Sequence, residues 1–277
     1  VKSAKFRFSG VSAHAAGAPE RGRSALDGVE AMNFMANLMR EHVPQESRLH
    51  YVITSGGSAP NVVPDFSEVY YYVRHPDPEM VRAIFDRLVS AAEGAASGTG
   101  TTMEYEVIGG SYSRLSVTAL QEVVYENLMT VGGVYYDDQE WTFAEALKNE
   151  LPAAPELESA AEIMPFEYRR TNASSDAGDV SWMVPASTLS TATWIPGTGA
   201  HSWQAIAAGG TTIGAKGMMV AAKTMALTAI DLFTSPEKVA AIRAEFEEFR
   251  GVDFQYDPLI GDRAPPLDYR ASLIGGR

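Results

Sequence analysis

Five histidines and no cysteine restrict any transition-metal site in this chain to imidazole and carboxylate ligands. The His-Glu-x-x-His arrangement is absent. His75-Pro76-Asp77 has the His-x-Asp spacing that can ligate and orient a metal. It stands, however, where a strand leaves off and a proline-flanked helix begins, which suits Asp77 better as a helix N-cap than as a ligand. His201 lies in Gly197-Thr198-Gly199-Ala200-His201-Ser202-Trp203, a loop between an apolar run and a helical region. Loops hung on rigid elements concentrate ligands and catalytic groups. The local pattern leaves a metal-ligating imidazole and a backbone-bonded one equally open. Ser175 and Asp176 with His201 invite a serine-hydrolase reading, but there is no Gly-x-Ser-x-Gly elbow, and adjacent Ser and Asp cannot form a nucleophile–base–orienter chain. Ser174, Ser175 and Asp176 are also good loop and cap residues.

His14 sits among small residues in Gly10-Val11-Ser12-Ala13-His14-Ala15-Ala16-Gly17-Ala18-Pro19, where an ordinary surface imidazole fits as well as a functional one. Asn61 follows a Gly56-Gly57 break in Asn61-Val62-Val63-Pro64. Arg74 ends a strand, on the same side as Tyr70 and Tyr72. An arginine fork can clamp a carboxylate through two hydrogen bonds and an Asn amide can add a third donor. Taken alone, a strand-end arginine is more often a solvated charge.

The elements that must carry these residues follow from periodicity. Ala4, Phe6 and Phe8 alternate with Lys5 and Arg7, as in a half-buried strand. Leu26, Val29, Met32, Ala36 and Met39 recur at helical spacing. Strands over Leu49–Ile53 and Val69–Val73, a helix carrying Val81, Ile84, Phe85, Leu88 and Ala91, and a strand over Met103–Val107 complete a β-α-β-β-α-β order. That order is ferredoxin-like, with two helices on one sheet face and sheet edges that need protection, for which pairing across a dimer is one solution. The pattern changes near Tyr112, which divides the chain into domains at 1–112 and 113–277. In the second part the spacing predicts a helix over Thr118–Thr130, an irregular acidic stretch from Asp137 to Glu167 and a short apolar strand-like run after Asp179. A long helix over Lys216–Phe233 is apolar all round and is expected to be buried. A last helix is expected to begin with Ser235 as N-cap and Pro236 at its first position, carrying Val239, Ile242, Phe246 and Phe249 on one face. The tail after Asp253 is rich in Pro and Gly and has no clear period.

Composition removes whole classes of function. With 22 basic and 35 acidic residues the 277-residue chain carries a formal charge of −13, which repels a phosphate backbone. No uninterrupted apolar run approaches the ~20 residues of a membrane span, so no membrane is expected. The lack of cysteine fits a reducing, cytoplasmic setting. The first residues already alternate as a strand and begin with Val1, which is the expectation for a piece of something longer.

In their order, Ser12-Ala13-His14-Ala15-Ala16 with Pro19, Gly56-Gly57 to Asn61-Val62-Val63-Pro64, and Val73-Arg74 resemble the lid (dimerisation) domain of the dinuclear-metal aminoacylase and carboxypeptidase family. The resemblance is nearest to the amidohydrolase branch that includes the p-aminobenzoyl-glutamate hydrolases. Ser174-Ser175-Asp176-Ala177-Gly178-Asp179-Val180-Ser181-Trp182 and Gly199-Ala200-His201-Ser202-Trp203-Gln204 look like that branch's later motifs, so the resemblance runs from Val1 to about Phe233. It implies a lid domain followed by the C-terminal portion of an α/β catalytic domain. It also implies two divalent metal ions, zinc or manganese, and hydrolysis of N-acyl amino acids of the p-aminobenzoyl-glutamate kind or of short peptides. His14 would reach the partner subunit's site and stabilise the tetrahedral intermediate; Asn61 and Arg74 would hold the substrate carboxylate; His201 would ligate metal. A homodimer through the lid would follow.

The chain departs from the family pattern in one respect. The family's first His-x-Asp, bridging Asp, catalytic Glu and adjacent carboxylate ligand all precede the lid, and none can be assigned here. One histidine cannot hold two metals. The expectation is a chain inactive alone, whose N-terminal half lies upstream or on a second subunit. The alternative is a non-catalytic dimerisation or carboxylate-binding module that lacks a metal site.

Overall fold

The computed structural model describes residues 1–167 and 175–262; Ser174 and the last part of the Pro/Gly-rich tail lie outside the described residues. The chain forms two compact units. The first comprises Val1–Arg114 together with 175–180 and 255–262; the second comprises 115–167 and Ser181–Phe254.

The first unit has the expected order: β1 (Lys2–Ser9), α1 (Ala25–Met39), β2 (Arg48–Ser55), β3 (Phe66–Arg74), α2 (Pro78–Thr99) and β4 (Thr102–Gly110). The four strands form one antiparallel sheet in the order β2-β3-β1-β4. Alternation puts Ala4, Phe6, Phe8, Val69, Tyr71 and Val73 on one face, all fully buried, with Val29 and Met32 of α1 and Val81, Ile84, Phe85 and Leu88 of α2 completing the core. Gly28 lets α1 approach the sheet, because a Cβ there would stand 2.5 Å from Phe8 Cδ1. The other face is polar: Arg7 bridges Glu68 at 2.8 Å and Glu106 at 2.7 Å, and Lys5 pairs with Glu68 at 3.1 Å.

The helix starts follow their caps. Ser24 accepts the Asp27 N–H at 3.2 Å, and Asp77 accepts the Glu79 N–H at 2.9 Å. His75 Nδ1 accepts the Asp77 N–H at 3.0 Å, so His75 and Asp77 together build the start of α2. Gly100 closes α2 with φ of 68°, the left-handed conformation glycine adopts at little cost. One expectation fails on β2. Leu49 is buried, but Tyr51 and Ile53 of the same alternating set are exposed on β2, which is an edge strand.

In the second unit, α3 spans Thr118–Val131, close to expectation. The acidic stretch after it is not irregular throughout, since it contains α4 (Asp138–Lys148). Asp137 caps α4 by accepting the N–H groups of Gln139 and Glu140, and the Glu140 carboxylate accepts the Asp137 N–H at 2.8 Å. Glu140 is buried and pairs with Lys216. Burial alone would push its carboxyl up. Hydrogen bonds from Lys216, Thr212 and the Asp137 N–H outweigh that and hold it below the ordinary value. The strand-like run after Asp179 is not a strand; its first residues lie in α5 (Ala177–Met183) and 184–195 has no regular element. Three helices follow: α6 (Trp203–Gly209), α7 (Thr212–Thr234) and α8 (Pro236–Arg250). Ser235 occupies the N-cap position of α8 without making the cap hydrogen bond, and only Ile242 and Phe246 of its predicted face are buried.

The largest departure is α7. Apart from Ile213 near its start, its buried residues are small or polar: Gly214, Gly217, Thr224 and Thr228. Met218, Met219, Met225, Ile230 and Phe233 are exposed, Phe233 at 90%. Thr224 and Thr228 give their hydroxyls to carbonyls one turn back, at 2.9 Å each, and a Cβ on Gly217 would meet the Ala192 carbonyl oxygen at 2.5 Å. The helix therefore packs on its small, polar stripe and leaves its apolar stripe outside. By length and composition alone α7 is also long and apolar enough to cross a membrane, although it carries Lys216, Lys223 and Asp231.

Candidate functional site

The loop after β1 is held from both sides. Val11 and Arg23 exchange backbone hydrogen bonds at 2.8 and 2.9 Å. On the other side Gly10 N–H reaches the Asp65 carbonyl, Val63 N–H the Ala13 carbonyl and Ala15 N–H the Asn61 carbonyl, at 2.8, 2.9 and 3.0 Å. His14 bridges Val62 in the same ladder. Gly10 is required for this, because a Cβ there would stand 2.0 Å from the Arg23 carbonyl oxygen. Two segments distant in sequence, 10–15 and 61–65, thus form a short extended pair in which His14 faces Val62 and the Asn61 backbone faces Ala15, with His14 and Asn61 both exposed.

The imidazole of His14 has a defined orientation. Its Nδ1 accepts the N–H of Ala16 at 3.2 Å and of Gly17 at 3.0 Å. A neutral imidazole that accepts at Nδ1 carries its proton on Nε2, so the ring presents an N–H donor outward. The small residues around His14 supply those unhindered backbone donors; even a Cβ added at Gly17 would already stand 3.4 Å from Nδ1.

Arg74 lies elsewhere. It ends β3, with its guanidinium 5.5 Å from the centre of the Tyr72 ring, which meets Tyr70 edge to face at 5.2 Å. The register pairs Ser9 with Phe66 and Lys2 with Val73, so β1 delivers His14 at one end of the sheet while β3 delivers Arg74 at the other. At the rise of a strand, eight residues separate the two ends by about 25 Å. The structure brings His14 and Asn61 together and keeps Arg74 apart from them within one chain.

His201 belongs to the second unit, just before Ser202, which caps α6 by accepting the Ala205 N–H at 3.2 Å. Among the described residues it is the one non-glycine with positive φ, at 61°. A left-handed non-glycine conformation costs roughly 1–2 kcal/mol and gathers at functional sites. Residue spacing gave no hint of this. His201→Gly is expected to leave thermal stability unchanged or raise it slightly, while His201→Val lowers it by roughly 1–2 kcal/mol, since glycine accepts that conformation and a β-branched residue does not. Equal melting temperatures for the two variants would refute a strained backbone. Ser175, Asp176 and His201 do not read as a triad: Ser175 gives its hydroxyl to Asp176 at 3.1 Å and accepts the Ala177 N–H at 3.2 Å, as a loop-closing residue does.

Among the described residues no three His, Asp or Glu side chains gather as a metal site would need. The described donors therefore do not by themselves fit a dinuclear centre, and His201 can be at most one ligand of it.

Comparison with known proteins agrees with the lid geometry. Residues 1–100 match the family model of a peptidase dimerisation domain. Across 95% of its length the chain is 37% identical to the B subunit of p-aminobenzoyl-glutamate hydrolase from Escherichia coli, of which it covers 60%. It is 26% identical to the Xaa-Arg dipeptidase of Mus musculus, covering 87% of this chain and 50% of that protein. Among solved structures, an aminobenzoyl-glutamate utilization protein from Klebsiella pneumoniae aligns over 48% of this chain and 34% of its own, at 25% identity and a TM-score of 0.41. The chain thus spans between half and two thirds of the length of these two curated relatives.

Proposed function

We propose that this chain, which belongs to the peptidase and amidohydrolase family through its dimerisation domain and its likeness to the E. coli hydrolase, supplies the lid and part of the catalytic unit of a metal-dependent hydrolase of N-acyl amino acids. The substrates that fit this reading are p-aminobenzoyl-glutamate and acyl amino acids like it. The observation that carries it is the His14 donor: an exposed Nε2–H of fixed tautomer, suited to meet the oxyanion that develops when water attacks an amide carbonyl. Arg74 would clamp the free carboxylate of the amino acid half. In such a hydrolase the metal supplies an activated water and polarises the carbonyl. His201 would give it one ligand, with the remainder coming from outside the described residues.

The separation of His14 from Arg74 supports a homodimer. In one chain they stand at opposite ends of the sheet. If two copies pair their β2 edges antiparallel about a twofold axis, the His14 end of one copy adjoins the Arg74 end of the other. A complete lid site then takes Arg74 from one subunit and His14 with Asn61 from its partner. The β2 edge suits such pairing, since Tyr51, Val52 and Ile53 are exposed along it, and Phe34 and Leu38 are exposed one turn apart on α1. The opposite edge, β4, carries Glu104 and Glu106, charges that discourage pairing.

The inverted packing of α7 and the lack of a gathered metal site among the described residues support a catalytic unit completed by further polypeptide. Contiguous apolar faces of this kind are covered in stable assemblies. The second reading is a carboxylate-binding dimerisation module without catalysis. The two readings separate on one assay. Hydrolysis of p-aminobenzoyl-glutamate with zinc or manganese is expected for a polypeptide extended to the full length of the relatives and not for this chain alone. His14→Ala is expected to lower kcat about 10²–10³-fold with little change in KM, as loss of an oxyanion donor does. Hydrolysis by this chain alone would overturn the incomplete-site reading. No hydrolysis of any acyl amino acid by the extended polypeptide would leave the module.

A further inference from the structure

On the reading that further polypeptide completes the catalytic unit, we infer that residues 189–195 are an open strand edge of the second unit. A strand of the polypeptide that brings the chain to the length of its relatives docks there by backbone pairing. The run Thr188-Leu189-Ser190-Thr191-Ala192-Thr193-Trp194-Ile195 has the composition of a strand, with five of its eight residues β-branched or aromatic. Pro185 and Pro196-Gly197 bound it, as breakers bound a strand. Among the described residues, however, the four strands all lie in the first unit, so the second unit offers the run no strand to pair with. A strand alone leaves its N–H and C=O groups unmet, and the run accordingly takes no regular form.

One side of the run is nevertheless fixed in place. Ile195 is buried in one cluster with Leu147, Leu157 and Ile213. Thr191 gives its hydroxyl to the Gly217 carbonyl of α7 at 2.9 Å, and the lack of a side chain at Gly217 lets the Ala192 carbonyl lie against the helix. The other side is open. Ser190 and Trp194 are exposed, and a cleft of about 550 Å³ lies along 190–198, lined otherwise by Ser159 and Ala160. Among the described residues no backbone hydrogen bond joins 189–195 to another extended segment; the Thr193 N–H turns back to the Thr191 carbonyl at 2.9 Å. On either side of the run the Ser187 and Thr198 hydroxyls are shielded from solvent and have no hydrogen-bond partner among the described residues. Buried polar groups in finished folds have partners. A strand laid along the run meets its backbone groups and brings acceptors within reach of both hydroxyls. What lies outside the chain decides the occupant. The chain covers 60% of the E. coli hydrolase subunit, and the rest of such a protein must pack on what is present. In the same unit α7 leaves Met218, Met219 and Met225 exposed, a face that a further layer would cover.

Amide hydrogen exchange over 189–195 is compared in this chain and in a polypeptide extended to the full length of the relatives. In this chain the run is expected to exchange as fast as an open loop. In the extended polypeptide at least alternate amides are expected to slow by about 100-fold or more, the pattern of a strand bonded along one edge. Ser190→Pro combined with Thr191→Pro removes one amide donor from each side of the run. The pair is expected to lower the melting temperature of the extended polypeptide by at least about 5 °C more than that of this chain. Equal shifts in the two polypeptides overturn the strand edge. Fast exchange in a folded, hydrolytically active extended polypeptide overturns it too and leaves the hydrolase standing. Slow exchange there without hydrolysis of any acyl amino acid keeps the docked strand and removes the hydrolase. Slow exchange already in this chain alone overturns the inference, and its growth with concentration would give the edge to a second copy.

Discussion

In the proposed hydrolase, extended to the full length of its relatives and assayed well below KM, the variants His14→Ala and Arg74→Ala are each expected to be nearly inactive and to regain about a quarter of wild-type activity when mixed and allowed to exchange subunits. The reason is the position of each residue on the sheet. The β1–β3 register puts them at opposite ends of one lid, so a site drawn from two antiparallel lids takes Arg74 from one subunit and His14 from the other. In a heterodimer of the two variants, one site combines the intact Arg74 of the His14→Ala chain with the intact His14 of the Arg74→Ala chain. The other site has lost both. Random exchange makes half of the dimers hybrid, and half of their sites are whole. Each variant by itself has no whole site. They should also fail differently: loss of the His14 donor acts on kcat, while loss of the clamp acts mainly on KM. If the mixture stays as inactive as its components while hybrids demonstrably form, the two residues do not share a site across subunits.

Much of the fold was legible in residue types. The lid fold followed from two alternations and a helical period that agree with each other, and the cap at Asp77 was written as Asp before Pro; the cap at Ser24 was missed. Grouping His14 with Asn61 and Arg74 came from motif order, which carries no distances. The structure separates that group, because a strand of nine residues lies between the Asn61 loop and Arg74. α4 was legible and missed: Asp137-Asp138-Gln139-Glu140 has the spacing of a capping box, hidden within an acidic run. The inverted face of α7 could not be read, since all-round apolarity says that a helix needs cover and not which side its own chain supplies. Tyr51 and Ile53 fail for a related reason, as alternation marks a strand without telling an edge from the middle of a sheet. His201 is different again. Its left-handed backbone is a property of the loop's closure between Gly199 and the Ser202 cap, with no periodic trace in the residues.

Val52→Lys is expected to convert the proposed dimer to monomer and, by that step alone, to lower hydrolysis by the proposed extended hydrolase about 10²-fold, as much as removing the imidazole itself. Val52 lies at the middle of β2, 56% exposed, opposite Tyr70 on the polar face. It contributes nothing to the core between sheet and helices, so the single lid should keep its fold and far-UV spectrum. What changes is the edge. Tyr51, Val52 and Ile53 present an uncharged strand that a second copy can extend, and two lysines brought together at a twofold axis oppose that pairing. The helix beside this edge gives an independent check. α1 is anchored over β2 and β3 by Arg40 to the Leu49 carbonyl at 2.6 Å and by Asn33 to the Tyr71 hydroxyl at 2.5 Å, and it leaves Phe34 67% exposed. Phe34→Glu should weaken the dimer in sedimentation as Val52→Lys does, and the two together should weaken it further. Raising the protein concentration should restore activity to the weaker of the single variants, since assembly follows mass action. A Val52→Lys protein that remains dimeric would move the interface away from β2. A monomer that stays fully active would show that His14 serves its own chain, and the division of the site between two lids would fall with it.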